Sequence, residues 1–339
     1  MKKIFARSGL ALSALLLSGL LCACGGSGGG SSGRELAMNV TTSESSVWQV
    51  AATTFKDLVE ERTEGRYSIR IYPDEQLSNG DEVRGMENLL NGETELDLRS
   101  VSVMERYEER LAVLSMPYLF SDGYESVDRI LFSGSGEEAV LNLIRGIGVE
   151  PLALGENGFR QLTNDVRSIV SPADMRGLRF RVPENNLYAS MFQSLGAAPF
   201  ARNWSETLAA LQEGQLDGQE NTLDTIRSGQ VHQVQRYLTL WNWAYDPICL
   251  SVSKDLWDEL DEADREIFRT AAQEACAAEI AASRKQDEDI LEEFSLSGVE
   301  ITRLTEEELT AFRTATAPVY DQWRDTIGPD LLEAFGYVP

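Results

Sequence analysis

Histidine is nearly missing from this chain: His232 is the only one among 339 residues. A His-based metal cluster is therefore unavailable, any Ser-His-Asp nucleophilic set is confined to His232, and no metal or cofactor site is expected. Cysteine is almost as scarce, with four in all. Cys249, in a predicted strand, and Cys276, on a predicted helix, lack metal-ligand spacing and read as buried thiols, with a disulfide left open in an oxidising compartment. Basic charge is also short, 30 Lys and Arg against 55 Asp and Glu, for a net charge of −25. Such a chain does not bind nucleic acid or anionic lipid non-specifically, and its acidity serves solubility. Among so many acids some carboxylate pair falls near a pocket by chance, so a secreted glycosidase stays formally open. There is one long apolar run, Leu10 to Leu21, too short to span a membrane. No internal repeat occurs, and no low-complexity segment outside a Gly/Ser tract.

That apolar run follows Lys2, Lys3 and Arg7, which makes it a secretory leader. The stretch Leu21-Cys22-Ala23-Cys24-Gly25 resembles a lipoprotein processing site, with a small residue directly before Cys24. Residues 1–23 are thus expected to be a lipoprotein signal peptide and Cys24 the lipidated first residue; an ordinary cleaved leader is the alternative. Residues 24–34 form a Gly/Ser tether, in which Gly25 to Gly33 is a flexible coil reaching roughly 15–18 Å. Losing three cations with the leader takes the net charge from −25 to −28. The body then repels anions at long range, and an anionic ligand has to be captured by local arginines.

The 63 residues from Phe159 to Asn221 organise the rest. Leu178, Phe180 and Val182 alternate with Arg179 and Arg181, the period of a strand with one apolar face, and Pro183 ends it. Arg181 is the last side chain before the strand yields to a helix over Leu187–Leu195, capped by Asn185-Asn186 and stopped by Gly196. Ligands of open α/β sheets sit outside the carboxyl ends of strands, so Arg181 occupies a binding position. Asn203 with Glu206 resembles a capping box, opening a helix with Trp204, Leu208 and Leu211 on one face. A short polar segment, Leu216 to Asn221, leads into another helix. Arg160, near the start of a candidate strand, Arg181 and Asn221 are thereby placed to face one cleft.

The ordered set Phe159-Arg160-Gln161, Gly177-Leu178 through Arg181-Val182-Pro183, Gly196-Ala197-Ala198-Pro199, Trp204-Ser205-Glu206 and Asp217-Gly218-Gln219-Glu220-Asn221 resembles the solute-binding proteins of tripartite ATP-independent periplasmic (TRAP) transporters, the DctP family. The likeness runs over most of the chain after the tether, from Met38-Asn39 through Met116-Pro117-Tyr118 to the helix after Trp257. It implies that Arg181 clamps a ligand carboxylate, assisted by Arg160 and Asn221, with Trp204 lining the pocket. A guanidinium is always charged, and its planar fork fits a carboxylate through two parallel hydrogen bonds. From the residues themselves, Trp204 equally suits core packing and Asn221 equally suits a helix cap. Arg179 reads as a surface residue.

Upstream, strands at Leu36–Val40, Tyr67–Tyr72 and Leu96–Val101 alternate with helices at Val47–Glu61 and Glu82–Leu90, a βαβαβ rhythm that predicts a parallel sheet. Asn39, Trp48 and the region Arg99 to Ser102, Ser102 included, fall at strand ends and are expected to form the opposing wall of the cleft. Gly148–Gly155 and Pro247–Ser253 read as strands, and chain crossings near residues 157 and 246 make a hinge. Asp261 and Asp264 open a helix with Ile267, Ala271, Ala275, Ala278 and Ala282 on one stripe, about 50 Å long if it persists to Phe294. A strand at Val299–Thr302 and helices at Glu306–Trp323 and Asp330–Phe335 complete the chain.

The expected fold is α/β, a two-lobed clamshell like that of periplasmic binding proteins. Each lobe is a mainly parallel sheet flanked by helices, with a long helix spanning both. Lobe I takes residues 35–157 and 246–285, and lobe II takes 158–245 and 286–339. Phe200-Ala201-Arg202 departs from the family's usual small residue, proline and methionine after Pro199, leaving Arg202 as a third cation or a surface residue. Where some members place a glutamate at the end of the third strand, this chain has Ser100-Val101-Ser102. The resemblance implies a non-enzymatic, monomeric, extracytoplasmic lipoprotein that hands a small organic acid to TRAP membrane subunits. A sugar acid such as a uronate leads, ahead of C4-dicarboxylates, sialic acids and keto acids. A ligand-presenting sensor component and a carboxylate-pair hydrolase are the rivals.

Overall fold

The computed structural model describes residues 33–133 and 135–337; the expectations for the leader, Cys24 and the tether up to residue 32 fall on residues outside these, while Arg34, expected to end the tether, begins the first strand. Among the described residues eleven strands form two sheets. The first joins β1 (Arg34–Val40), β2 (Tyr67–Tyr72), β3 (Leu96–Ser100), β4 (Val149–Phe159) and β10 (Tyr245–Ser253) in the order β2-β1-β3-β10-β4. The second joins β5 (Gln161–Asn164), β6 (Arg179–Val182), β7 (Ala198–Ala201), β8 (Gly218–Asn221), β9 (Tyr237–Leu240) and β11 (Glu300–Arg303) in the order β11-β9-β5-β8-β6-β7.

Both sheets are mixed. The βαβαβ start makes β2, β1 and β3 parallel neighbours, as its rhythm predicts. Antiparallel ladders appear where the chain changes sheet, because a strand that runs out of one sheet is followed by one that runs back. β10 pairs antiparallel with both β3 and β4, and β5 pairs antiparallel with β8 and β9. The crossings lie at Arg160, the single residue between β4 and β5, and at Trp241–Ala244, between β9 and β10. These are within a few residues of the expected positions.

The third crossing is one helix, Glu262–Leu296, whose 35 residues span about 52 Å. Asp261 caps it by accepting the Asp264 amide at 2.9 Å. Its buried stripe keeps Ala271 and Ala275 of the expected one and departs from it elsewhere. Phe268, Ala271, Ala275, Cys276, Glu279 and Ser283 face inward, whereas Ala278 is exposed and Ile267 and Ala282 are half-buried. Alanine carries too little apolar area to choose the face; Phe268, packed edge-on to Phe55 and Tyr67, chooses it. Beneath the helix β4 passes so closely that a Cβ on Gly155 would lie 2.8 Å from Glu279 Oε2, and that oxygen accepts the Glu156 amide at 2.9 Å.

Three apolar clusters hold these layers. One packs β1, β3 and β10 on the helix Trp48–Arg62 and the first half of the long helix, through Met38, Phe55, Leu250 and Phe268. Another packs the long helix's second half, at Ile290 and Phe294, onto Ile226 and Leu238. The largest joins residues of both sheets and their connections, including Leu114, Phe159, Tyr188, Trp243 and Phe335. The tail helix expected over Glu306–Trp323 is two helices, Glu306–Thr316 and Pro318–Ile327, because Pro318 has no amide hydrogen to continue the first. Cys249 and Cys276 are buried, unbonded thiols, and burial pushes Cys249 up to about 12.

Candidate functional site

The carboxyl ends of β6 and β8, the β4–β5 crossing and the segments after β1 and β3 converge on one half-open cavity of about 30 Å³. Thr41, Thr42, Trp48, Ser100, Ser102 and Val103 line it from one side; Asn157, Arg160, Arg181, Pro183, Trp204, Asn221 and Thr225 complete it with Glu82. Six of the seven predicted ligand residues therefore meet: Arg160, Arg181, Asn221, Trp204, Trp48 and Ser102. A wider space of about 240 Å³ adjoins it through Thr41, Glu82 and Trp204.

Asn39 does not line the cavity. It lies one layer behind, with its amide NH2 donating to Glu75 Oε2 at 2.6 Å and Asp97 Oδ2 at 3.2 Å. Its position in β1, hydrogen-bonded on both sides, turns it into the ion cluster of Arg99, Asp97 and Glu75. Arg99, from the predicted wall, is likewise absent from the lining.

The two arginines have different surroundings. Arg160 donates from Nε to Glu220 Oε2 at 2.5 Å, from Nη2 to Glu220 Oε1 at 2.8 Å and from Nη1 to Asp246 Oδ2 at 2.6 Å. Burial works against its charge, but Glu220, then Tyr188 and Asp246, more than offset this and hold its pKa well above the ordinary arginine value. Arg181 is buried to the same depth with far less support. Its Nε donates to the Arg202 carbonyl at 2.9 Å, and Glu82 Oε2 stands 3.6 Å from Nη2. Burial consequently lowers its pKa, against partial help from Glu82 and Glu220, and the like charge of Arg160 lowers it further. Arg181 is thus a desolvated cation with unfilled donors, the group that gains most from an added carboxylate.

Trp204 lies between the cavity and the core. Its ring lies 5.5 Å from the Arg181 guanidinium and also packs on the cluster of Ile226 and Phe294. The expected capping box at Asn203 does not form: Asn203 Oδ1 instead accepts the Glu82 amide at 3.2 Å, and a short 3₁₀ turn, Trp204–Glu206, replaces the first helical turn. Asn221 is not the helix cap, since Thr222 takes that role through the Thr225 amide. Asn221 Oδ1 accepts the Thr222 amide at 2.9 Å, and no acceptor among the described residues takes its NH2 group. Arg202 contributes its carbonyl, and its side chain is outside the lining. Arg179 pairs with Asp217 at 2.7 Å at the surface, as expected.

Two lining groups are buried without partners, Trp48 Nε1 and Thr42 Oγ1. Ser102 reaches Arg160 through a relay: its hydroxyl is 2.5 Å from Ser100 Oγ, which donates to Asp246 Oδ1 at 2.6 Å, and Asp246 accepts from Arg160. Further contacts join the two sides of the cleft. Trp204 N donates to Glu82 Oε2 at 2.8 Å, Ser205 Oγ to the Gly80 carbonyl at 2.7 Å, and Ser46 Oγ to Asp224 Oδ2 at 2.7 Å. Sequence reasoning missed Glu82, Glu220 and Asp246. Glu220 lay inside a quoted motif, and Asp246 beside a predicted crossing; Glu82, the first residue of a helix behind the Asp81 cap, gave no sign of its role.

A cleft with an under-compensated buried arginine, hydrogen-bonding side chains and a single carboxylate, Glu82, in its lining is built to hold a small anion. The family model of the bacterial extracellular solute-binding proteins, family 7 (DctP), matches residues 38–326, and the chain belongs to that family. It is 33% identical over 286 residues to the C4-dicarboxylate-binding periplasmic protein DctP of Shewanella loihica, covering 84% of this chain and 83% of that one. A TRAP periplasmic solute-binding protein from Ralstonia eutropha, solved with (S)-2-acetolactate, superposes with a TM-score of 0.84 at 34% identity, covering 89% of this chain and 98% of that one. One from Polaromonas, bound to D-erythronate, gives 0.85 at 30% identity, covering 90% and 99%. Among the described residues no helix is long and apolar enough to cross a membrane.

Proposed function

We propose that this protein captures a small organic acid in the cleft between its sheets and delivers it to the membrane subunits of a TRAP transporter. The observation that carries this is Arg181, a buried guanidinium whose charge is only partly met by the protein. The ligand carboxylate takes the open donors of Arg181, Asn221 adds its free NH2 group, and Trp48 Nε1 and Thr42 Oγ1 complete the shell. Arg160, filled by Glu220 and Asp246, orients the site and contributes field rather than a full second clamp. The lobes, residues 35–157 with 246–285 and 158–245 with 286–339, close on the ligand about the crossings at Arg160 and Trp241–Ala244. The protein acts as a monomer held at the outer face of the cell membrane by lipidated Cys24.

Among acids, the hydroxyl- and amide-rich wall favours a sugar acid, a uronate or its open-chain relatives. The erythronate and acetolactate found in structural relatives support a hydroxylated acid, while the Shewanella relative keeps C4-dicarboxylates as the alternative. The test is a thermal-shift screen of residues 34–339 against uronates, aldonates, dicarboxylates, sialic acid and keto acids, repeated on Arg181→Ala. Ligand at 100 times its dissociation constant adds about 2.7 kcal/mol. A shift in the wild type that the variant loses establishes the clamp; an equal shift in both refutes it.

A further inference from the structure

Glu82 is an unexpected neighbour for a carboxylate-binding arginine. It begins the helix Glu82–Leu90 and is fixed at four points. Its amide donates to Asn203 Oδ1 at 3.2 Å, its carbonyl accepts Arg99 Nη1 at 2.7 Å, Oε2 accepts the Trp204 amide at 2.8 Å, and Arg181 Nη2 stands 3.6 Å away. It lines both the inner cavity and the space that adjoins it. Its other oxygen, Oε1, takes no proton from any donor among the described residues. An ionised carboxylate is acceptor-only, so that oxygen attracts a hydroxyl and repels a second carboxylate.

The remaining charges leave a second carboxylate no alternative. Two guanidinium groups face the cavity, Arg160 and Arg181, together with three carboxylates, Glu82, Glu220 and Asp246, in or directly behind its wall. Arg160 is spent on Glu220 and Asp246. Arg99 lies behind the wall on Asp97 and Glu75, and the Arg202 side chain is outside it. One open cation serves one ligand carboxylate. The rest of the lining is uncharged: Val103 and Pro183 are apolar, and the others, among them Thr41, Ser102, Asn157 and Thr225, are neutral polar groups, with Trp48 Nε1 and Thr42 Oγ1 unpartnered.

We propose that Glu82 is a specificity-determining residue that restricts the site to monocarboxylates presenting a hydroxyl to its free Oε1 where a dicarboxylate would present its second carboxylate, and rejects the corresponding dicarboxylates. This rests on the assignment of Arg181 as the carboxylate clamp. The hydroxyl donates to Glu82 Oε1 while Oε2 stays on the Trp204 amide, so the ligand strengthens an existing link across the cleft. A carboxylate in the hydroxyl's place meets Glu82 as a like charge with no cation to offset it.

The experiment uses acid pairs that differ only in CH2OH against COO−: glycerate and tartronate, erythronate and meso-tartrate, galactonate and galactarate. Each is titrated calorimetrically into the wild type, Glu82→Gln, Glu82→Asp and Arg181→Ala. The wild type should bind the hydroxy monoacid of its best pair at least about tenfold tighter than the diacid. Glu82→Gln, which removes the charge and keeps the shape, should shrink that ratio about tenfold or more, and Glu82→Asp, which keeps the charge, should preserve the preference. A wild type that prefers the diacid, or an unchanged ratio in Glu82→Gln, overturns the role of Glu82 while leaving the clamp standing. Should Glu82→Gln fail to fold, the wild-type preference and Glu82→Asp decide. Binding that survives in Arg181→Ala, or the absence of binding by any pair, refutes the clamp itself and this inference with it.

Discussion

Arg99 and Arg181 are equally hidden from solvent, yet their surroundings treat them in opposite ways. Around Arg99 the protein supplies everything: Asp97 at 2.5 and 2.6 Å, Glu75 at 3.4 Å and the Glu82 carbonyl at 2.7 Å. Its pKa stands above the ordinary value, because burial, which opposes the charge, is outweighed by Asp97 and Glu75. Around Arg181 there is one carbonyl at 2.9 Å and one carboxylate at 3.6 Å, and burial wins. A saturated buried cation is structure; an unsaturated one is stored affinity. Arg160, which sequence reasoning placed with Arg181 as a second clamp, resembles Arg99 in its partners and Arg181 in its position.

The sharpest way to break the comparison is to delete both cations. Arg99→Ala leaves Asp97 and Glu75 buried without their partner and should cost about 3–5 kcal/mol of stability, read as a lower urea midpoint. Arg181→Ala should leave the urea midpoint nearly unchanged and weaken ligand binding by roughly 30- to 5,000-fold by calorimetry, from a loss of about 2–5 kcal/mol. Arg181→Lys should fail similarly, a point charge being no substitute for a fork. If Arg181→Ala unfolds the protein as Arg99→Ala does, the distinction between the two is wrong.

A second contrast concerns protons. Burial raises Glu105, held by Ser115 and Asn185, to about 8, and raises Glu156, beside Arg284 and Tyr245, to about 7. In the unfolded chain both fall back to the ordinary glutamate range near 4.3. Between that value and the folded one, the folded state holds a proton that the unfolded state has released. Stability from these groups is therefore full at low pH and is lost as pH climbs to about 8, by on the order of 1.4 kcal/mol per unit for each group inside its window. Thermal midpoints measured from pH 5 to 8 should fall, and Glu105→Gln, shaped like the protonated acid, should flatten the upper part of the slope. The smallest effect belongs to Trp204→Phe. It keeps the packing and weakens the face presented to Arg181, costing about 0.5–1 kcal/mol of affinity.

Local grammar was legible in the sequence. The strand Tyr67–Tyr72 and helix Glu82–Leu90 lie where the sequence pattern put them, and Asn185 caps its helix. Errors arose where a distant partner outbids a local rule. Asn203 gave up its capping box for the Glu82 amide 121 positions away, and Asn39 turned from the cleft to Glu75 and Asp97. Alanines suggested one face of the long helix, and Phe268 settled another. The ordered motifs brought Arg160, Arg181 and Asn221 together, but the state of each depends on carboxylates contributed from elsewhere in the chain. Nothing in the spacing of Arg160 and Asp246, 86 positions apart, foretells that they pair.

The way β10 fills the first sheet has a consequence for the order of assembly. Leu98 in β3 awaits Leu250, and Ala153 in β4 awaits the same residue from its other side. Any N-terminal stretch that stops before residue 245 therefore holds two open sheet edges and a gap between them. Contacts this remote in sequence close slowly. A chain threaded through a narrow pore from its N-terminus cannot complete its first sheet until three-quarters of its length has emerged, and so arrives on the far side before it can lock.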